Sequence, residues 1–154
     1  MEDIKYIELA IEQARKSVAM GGFPAGAVLV IDNKIIGEGV SVGNIICDPT
    51  AHGEIDSIRK ACDTMNNSNL ESATLYTSME TCGMCLNAVM WAGISRIVYA
   101  LGKDKVSNLY YGGEYITENI NNTFLKPIEI YHLKQKEEES LVIVKEWEEK
   151  SNEK

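Results

Sequence analysis

The stretch ATLYTSMETCGMCLNAVMWAGISRIVYAL, residues 73 to 101, leaves the rest of the chain little freedom. ATLYTSM and SRIVYAL are apolar, β-branched and aromatic runs of strand length. Between them, residues 82 to 92 read as a short helix that Gly93 can end. Strand, helix and strand in that order imply two parallel neighbours joined by a right-handed crossover, so the core of the molecule is an α/β layer structure.

The flanking segments extend this unit. Ile4, Ile7, Ile11, Ala14 and Val18 recur at helical spacing, which predicts an amphipathic helix over 3–20, closed by Gly21-Gly22. AGAVLVI and KIIGEGV, joined at Asp32-Asn33, read as a hairpin. After a loop holding Gly43 and Asn44, Asp48 is the expected N-cap and Pro49 the first residue of a helix running to about Met65. KPIEIYHL, 126–133, is the expected last strand and 137–150 the last helix. The sum is a single domain over 1–154, an α/β fold arranged as a three-layer α/β/α sandwich with a mixed five-stranded sheet. A ligand site is expected at the carboxyl end of strand 73–77.

Charge narrows the partners. With 23 acidic against 15 basic side chains, the net charge of -8 repels phosphate backbones at long range, so nucleic acid is a disfavoured partner. The N-terminal stretch carries acids where a secretory signal carries lysines, and its apolar residues are too interrupted for a membrane span. A cytoplasmic protein is expected. In a reducing compartment the four cysteines, Cys47, Cys62, Cys82 and Cys85, are core thiols or metal ligands before they are disulfides.

Cys82 and Cys85 lie three apart and share one face of a helical first turn, where unpaired N–H groups favour thiolates. Thr81 is the expected cap of that turn. By itself the pair also fits a redox dithiol. PTAHGEID, residues 49–56, adds His52 and, two residues on, Glu54; the two converge on one point only near a helix end. Taken with the cysteines, His52 completes a set of three zinc ligands that leaves the fourth tetrahedral position open, as catalytic sites do. Glu54, not itself a ligand, is then placed to move protons.

His52-Gly53-Glu54 with Cys82-Gly83-Met84-Cys85 resembles the signature of zinc deaminases. The chain resembles the cytidine deaminase superfamily, in the branch holding guanine deaminases, fungal-type cytosine deaminases and tRNA adenosine deaminases. The resemblance runs through GGFPAGAVLV, DPTAHGEIDSIRKAC and TLYTSMETCGMCLNAVMWAGISRIVYA. DPTAHGEIDSIRKAC and NLYYGGEY look most like guanine deaminases; HGEI and Trp147 beside Glu148-Glu149 also look like the fungal cytosine enzymes. The resemblance implies one zinc ion per chain, held by His52, Cys82 and Cys85, with Glu54 catalytic. It also implies a homodimer in which a C-terminal helix can complete a neighbour's pocket. The chain departs from the family pattern at Thr81 (usually Pro), at Ser41 (often an Asn that contacts the base) and at Ala25 (aromatic in guanine deaminases). Guanine deaminases use a second acid near Gly113, for which Glu114 is the candidate here. Ala25, Ser41, Glu114 and Trp147 are accordingly the expected substrate contacts.

Other assignments compete. Cys47 with His52, Cys82 and Cys85 makes a closed Cys₃His set, and with it a structural-zinc interaction module, but leaves Glu54 without a role. Cys62 reads as a core thiol, Tyr110 and Tyr111 as packing, and Met90 and Trp91 as the buried side of a helix. His132 has no ligand partner in sequence. Lys103, Lys105 and Lys126 are the basic residues that a tRNA-editing enzyme would need to cluster. The expected activity is hydrolytic deamination of a free nucleobase, guanine before cytosine, with tRNA adenosine third.

Overall fold

The computed structural model describes residues 2–152; Met1 and the last two residues of the acidic tail lie outside the described residues. Helix α1 (Glu2–Ala19) leads into the hairpin β1 (Gly26–Ile31) and β2 (Lys34–Val40), followed by the single turn α2 (Gly43–Ile46) and α3 (Gly53–Met65). The crossover is β3 (Thr74–Met79), α4 (Gly83–Trp91) and β4 (Arg96–Leu101). After α5 (Thr117–Asn121) come β5 (Glu129–His132) and α6 (Glu137–Asn152).

The five strands lie in the order β2-β1-β3-β4-β5. β1 is antiparallel to both β2 and β3, while β3, β4 and β5 are parallel, so the sheet is mixed as expected. Asp32 and Asn33 both take positive φ, 49° and 61°, which matches the right-handed strand twist and closes the hairpin tightly. Alternation along the strands splits the core between two faces. Val28, Val30, Tyr76, Val98 and Ala100 pack under α1 and Ile143 of α6. Ala27, Leu29, Leu75 and Ile97 pack under Ala61 of α3 and Leu86 and Val89 of α4. Two helical layers on one sheet give the three-layer sandwich.

The outer strand β2 is thin where α3 crosses it. A Cβ on Gly39 would stand 1.8 Å from the Gly53 carbonyl oxygen, so only glycine lets the start of α3 lie this close to the sheet. Val40 N–H donates to the Asp56 carboxylate at 3.0 Å and fixes the same approach.

Two boundaries and one surface differ from the sequence reading. α3 opens at Gly53 with His52 as N-cap, not at Asp48-Pro49. The Asp48 carboxylate instead accepts from the N–H and hydroxyl of Thr50, two residues on, closing a turn before the helix begins. The last strand covers only the second half of 126–133, because Asn121 takes the backbone of Ile128 through both ends of its amide. Trp91 is 81% exposed rather than buried; it shares the outer face of α4 with Met84, while Met90 packs inward. Among the described residues no helix is long and apolar enough to cross a membrane.

Candidate active site

The later start of α3 is what builds the site. His52 at the N-cap and Glu54 at the second helical position both sit at the end of the helix, where side chains two apart can turn to one point. α4 begins at the carboxyl end of β3, with Cys82 as its N-cap and Cys85 buried in its first turn. His52 Nδ1 lies 3.6 Å from Cys82 Sγ and 3.5 Å from Cys85 Sγ. Zn–S bonds of about 2.3 Å and Zn–N bonds of about 2.0–2.1 Å at a tetrahedral angle separate the donors by about 3.6 Å, so the set fits zinc. Among the described residues these three are the one group of His, Cys, Asp or Glu whose ligand atoms converge, all within 4.8 Å. Cys47 is exposed, in a left-handed turn, and outside that group, which leaves an open three-ligand site rather than a closed one. Cys62 packs against the α3–α4 core.

The electrostatics favour charge on the Cys82 sulfur. The Cys85 thiol and then His52 hold the Cys82 thiol down at about 4, against the opposing effect of burial. Cys85 is pushed up, first by its hydrogen bond to Cys82 and then by burial. His52 is raised, chiefly by its contact with Cys82. Glu54 is only 6% exposed, and burial, with the Cys82 charge adding, lifts its carboxyl to about 7.

A cavity of about 470 Å³ opens over His52, Glu54 and Cys82. Ala25, Ser41 and Trp147 line it, the last from the chain's own α6. Phe23, Tyr110 and Trp147 meet edge to face, with ring centroids 5.2 Å (Phe23–Tyr110), 5.3 Å (Phe23–Trp147) and 6.0 Å (Tyr110–Trp147) apart. The Tyr110 hydroxyl donates to Glu148 on α6 at 3.1 Å. Glu114 is not brought to the cavity; its exposed carboxylate accepts from Asn108 at 2.9 Å. Gly112 and Gly113, at φ 72° and 157°, turn the loop so that Glu114 faces outward and Tyr115 faces α4.

Thr81 is no cap. Its hydroxyl is buried and without a hydrogen-bond partner among the described residues, because the helix begins one residue later than a Thr81 cap requires. Sequence reasoning passed over Phe23, Asn44, Glu80 and Leu109 as cavity walls and set Tyr110 aside as packing. Only the NLYYGGEY segment offered a signal, since paired aromatics before paired glycines suit a folded loop. His132 is a satisfied structural histidine, stacked on Tyr99 and bonded to the Ala100 carbonyl and the Glu137 carboxylate.

Residues 1–101 match the family described as the cytidine and deoxycytidylate deaminase zinc-binding region, and the chain belongs to this family. It carries that family's zinc-binding region, and His52, Cys82 and Cys85 are the residues placed to hold the metal. Among individual proteins it is similar to the tRNA-specific adenosine deaminase of Haemophilus influenzae, 42% identical over 98 residues, which are 63% of this chain and 57% of that one. It is similar to the guanine deaminase of Bacillus subtilis, 37% identical over 117 residues, 75% of either chain. A solved structure from a study of A-to-I editing by tRNA:A34 deaminases superposes with a TM-score of 0.79 at 31% identity, over 91% of this chain and 99% of that one. The matched part thus spans less than two thirds of the Haemophilus enzyme and three quarters of the Bacillus enzyme.

Proposed function

We propose that this protein is a zinc-dependent aminohydrolase of a free nucleobase, with guanine the first substrate, converted to xanthine and ammonia. The observation that carries the reading is the aromatic wall. Phe23, Tyr110 and Trp147 line the same cavity as Glu54 and meet edge to face, which suits a flat heterocycle held by its faces. The Ser41 and Asn44 side chains, which also line the cavity, suit the polar edge of such a ring.

A zinc ion held by His52, Cys82 and Cys85 supplies Lewis acidity toward water at neutral pH. The chain supplies the rest. The Glu54 carboxylate takes a proton from the attacking water and passes it to the ring nitrogen next to the amino-bearing carbon; it then takes the second proton from the hydroxyl now on that carbon and gives it to the departing amine as the C–N bond breaks and the carbonyl forms. The buried floor excludes bulk water around that shuttle.

Three features favour a free base over tRNA. Trp147 of α6 lines the cavity, and the adjacent Glu148 ties α6 to Tyr110 of the lining. The net charge is -8. The lysines that would be needed do not gather: Lys103 lies against the Tyr115 ring beyond the end of β4, whereas Lys126 pairs with Glu71 before the start of β3. Guanine leads cytosine on the extent of likeness, including the Bacillus enzyme. Ammonia release by zinc-loaded protein against guanine, cytosine, adenine, their nucleosides and a tRNA anticodon stem tests the reading. Turnover of guanine is expected; turnover of the tRNA stem alone overturns it.

The four free thiols among the described residues suit a cytoplasmic setting. The exposed Met84–Trp91 face of α4 suits a homodimer, large apolar side chains in a row being unusual on a monomer's surface. Trp91→Glu is expected to halve the mass measured by sedimentation; a variant of unchanged mass excludes that face.

A further inference from the structure

Tyr115 reaches the metal-ligating turn from a loop more than 30 residues away in sequence, since its hydroxyl oxygen accepts from the Gly83 N–H at 2.7 Å, a separation of 32 residues. Gly83 stands between Cys82 and Cys85 and is the first helical residue of α4. A helix start leaves its first N–H groups unpaired, and an N-cap side chain normally takes one of them. Here the N-cap is Cys82, whose side chain makes no capping bond and is turned to His52 instead. Thr81 does not substitute, its hydroxyl being unpartnered. A cysteine committed to a metal cannot also cap its helix, so the cap has to come from elsewhere.

We propose that Tyr115 is a positioning residue for the zinc-binding cysteines, an external cap that fixes the first turn of α4 with both thiols aimed at His52. The proposal rests on the reading of Cys82 and Cys85 as ligands. The tyrosine is itself held in place. Its ring lies on Gly83, where an added Cβ would touch it at 3.5 to 3.7 Å. The Lys103 ammonium stands 4.2 Å from the ring centroid and also donates to the Tyr115 carbonyl. On both sides of Tyr115 the loop is tied to Glu80, just ahead of the cysteines. The Lys103 N–H donates to one carboxylate oxygen at 2.9 Å and the Thr117 hydroxyl to the other at 2.8 Å. The ring also packs in the same apolar cluster as Cys82 and Tyr111. The bonds to Gly83 and Glu80 thus run from the loop to residues 80–83, the segment that carries Cys82.

Groups that orient metal ligands from behind typically change metal affinity by about 10–100-fold when removed. Tyr115→Phe keeps the ring and loses only the acceptor, so its zinc affinity, measured by competition with a chromogenic chelator, is expected to fall about tenfold. Hydrogen exchange at the Gly83 amide is expected to quicken in the same variant. Tyr76→Phe is the control: it deletes a hydroxyl that donates to Asp3 at 2.8 Å on the opposite face of the sheet. It is expected to lower thermal stability and leave zinc affinity unchanged. Tyr115→Phe binding zinc as tightly as the native chain overturns the proposal, as does an equal loss in Tyr76→Phe. A native chain that binds no zinc removes the ligand reading itself, and the positioning role with it.

Discussion

One group of cavity residues, His52, Glu54 and Cys82, stands with the neighbouring Cys85 on the first turns of α3 and α4, both packed against the sheet. A second group, Phe23, Tyr110 and Trp147, comes from a loop, a 3₁₀ turn and the last stretch of α6, held by edge-on ring contacts and one Tyr110–Glu148 hydrogen bond. Under the proposed function the first wall would carry chemistry that tolerates little displacement, and it is built on regular elements packed into the core. The second wall would select among flat substrates, and it is assembled from segments outside the sheet. The metal end and the aromatic end therefore have different tolerances, and substitutions in the two should fail in different ways.

The largest effect is expected at the metal. Cys82→Ala should retain no stoichiometric zinc by metal analysis and show no measurable turnover, whereas Cys47→Ala, outside the donor group, should keep both. Zinc loss in Cys47→Ala would move that exposed thiol into the site. Next is Glu54→Gln, expected to bind zinc fully while kcat falls by about 10²–10⁴-fold. An active variant would take the proton shuttle away from Glu54. Trp147→Ala probes the second wall: its zinc content and fold should be unchanged while kcat/KM falls about tenfold, mostly through KM. A loss confined to kcat would instead tie the aromatic wall to the chemistry and erase the contrast.

The smallest effect lies far from both walls. Arg96 donates to Asp3 at 2.8 and 2.9 Å, and this bond holds the Asp3 carboxyl below its ordinary 3.8. A depressed folded value means that the stabilisation is present above pH 3.8 and disappears as pH drops through the lower, folded value. Urea unfolding of native protein and Asp3→Asn should differ by about 1 kcal/mol or less at neutral pH, with the gap closing in acid. A gap that widens in acid would reverse the sign.

The same division separates what could be read in the sequence from what could not. The crossover around Cys82 and the hairpin at Asp32-Asn33 are local patterns, and the structure has both. The donor set is also a local matter twice over, because each half lies within a single helical turn. Thr81 was misread because capping depends on the backbone residue at which a helix starts, and the start shifted to Cys82. Trp91 was misread because an apolar side chain on a helix says that it will be covered, not by which surface. Glu114 was misplaced, and Tyr115 given no role, because paired glycines decide which way a loop faces, and composition does not show the turn. The position of α6 over the cavity follows from tertiary packing alone.

The last point bears on how such a chain can change. In α6, Ile143 and Val144 belong to the core, and Trp147, less than one turn further on, belongs to the cavity. A proteolytic cut or frameshift beyond Val144 would leave a stable sheet and an intact metal end, yet would strip one ring from the binding wall. Under the proposed function, substrate range and foldability thus rest on separate portions of one helix, and selection can revise the first without reopening the second.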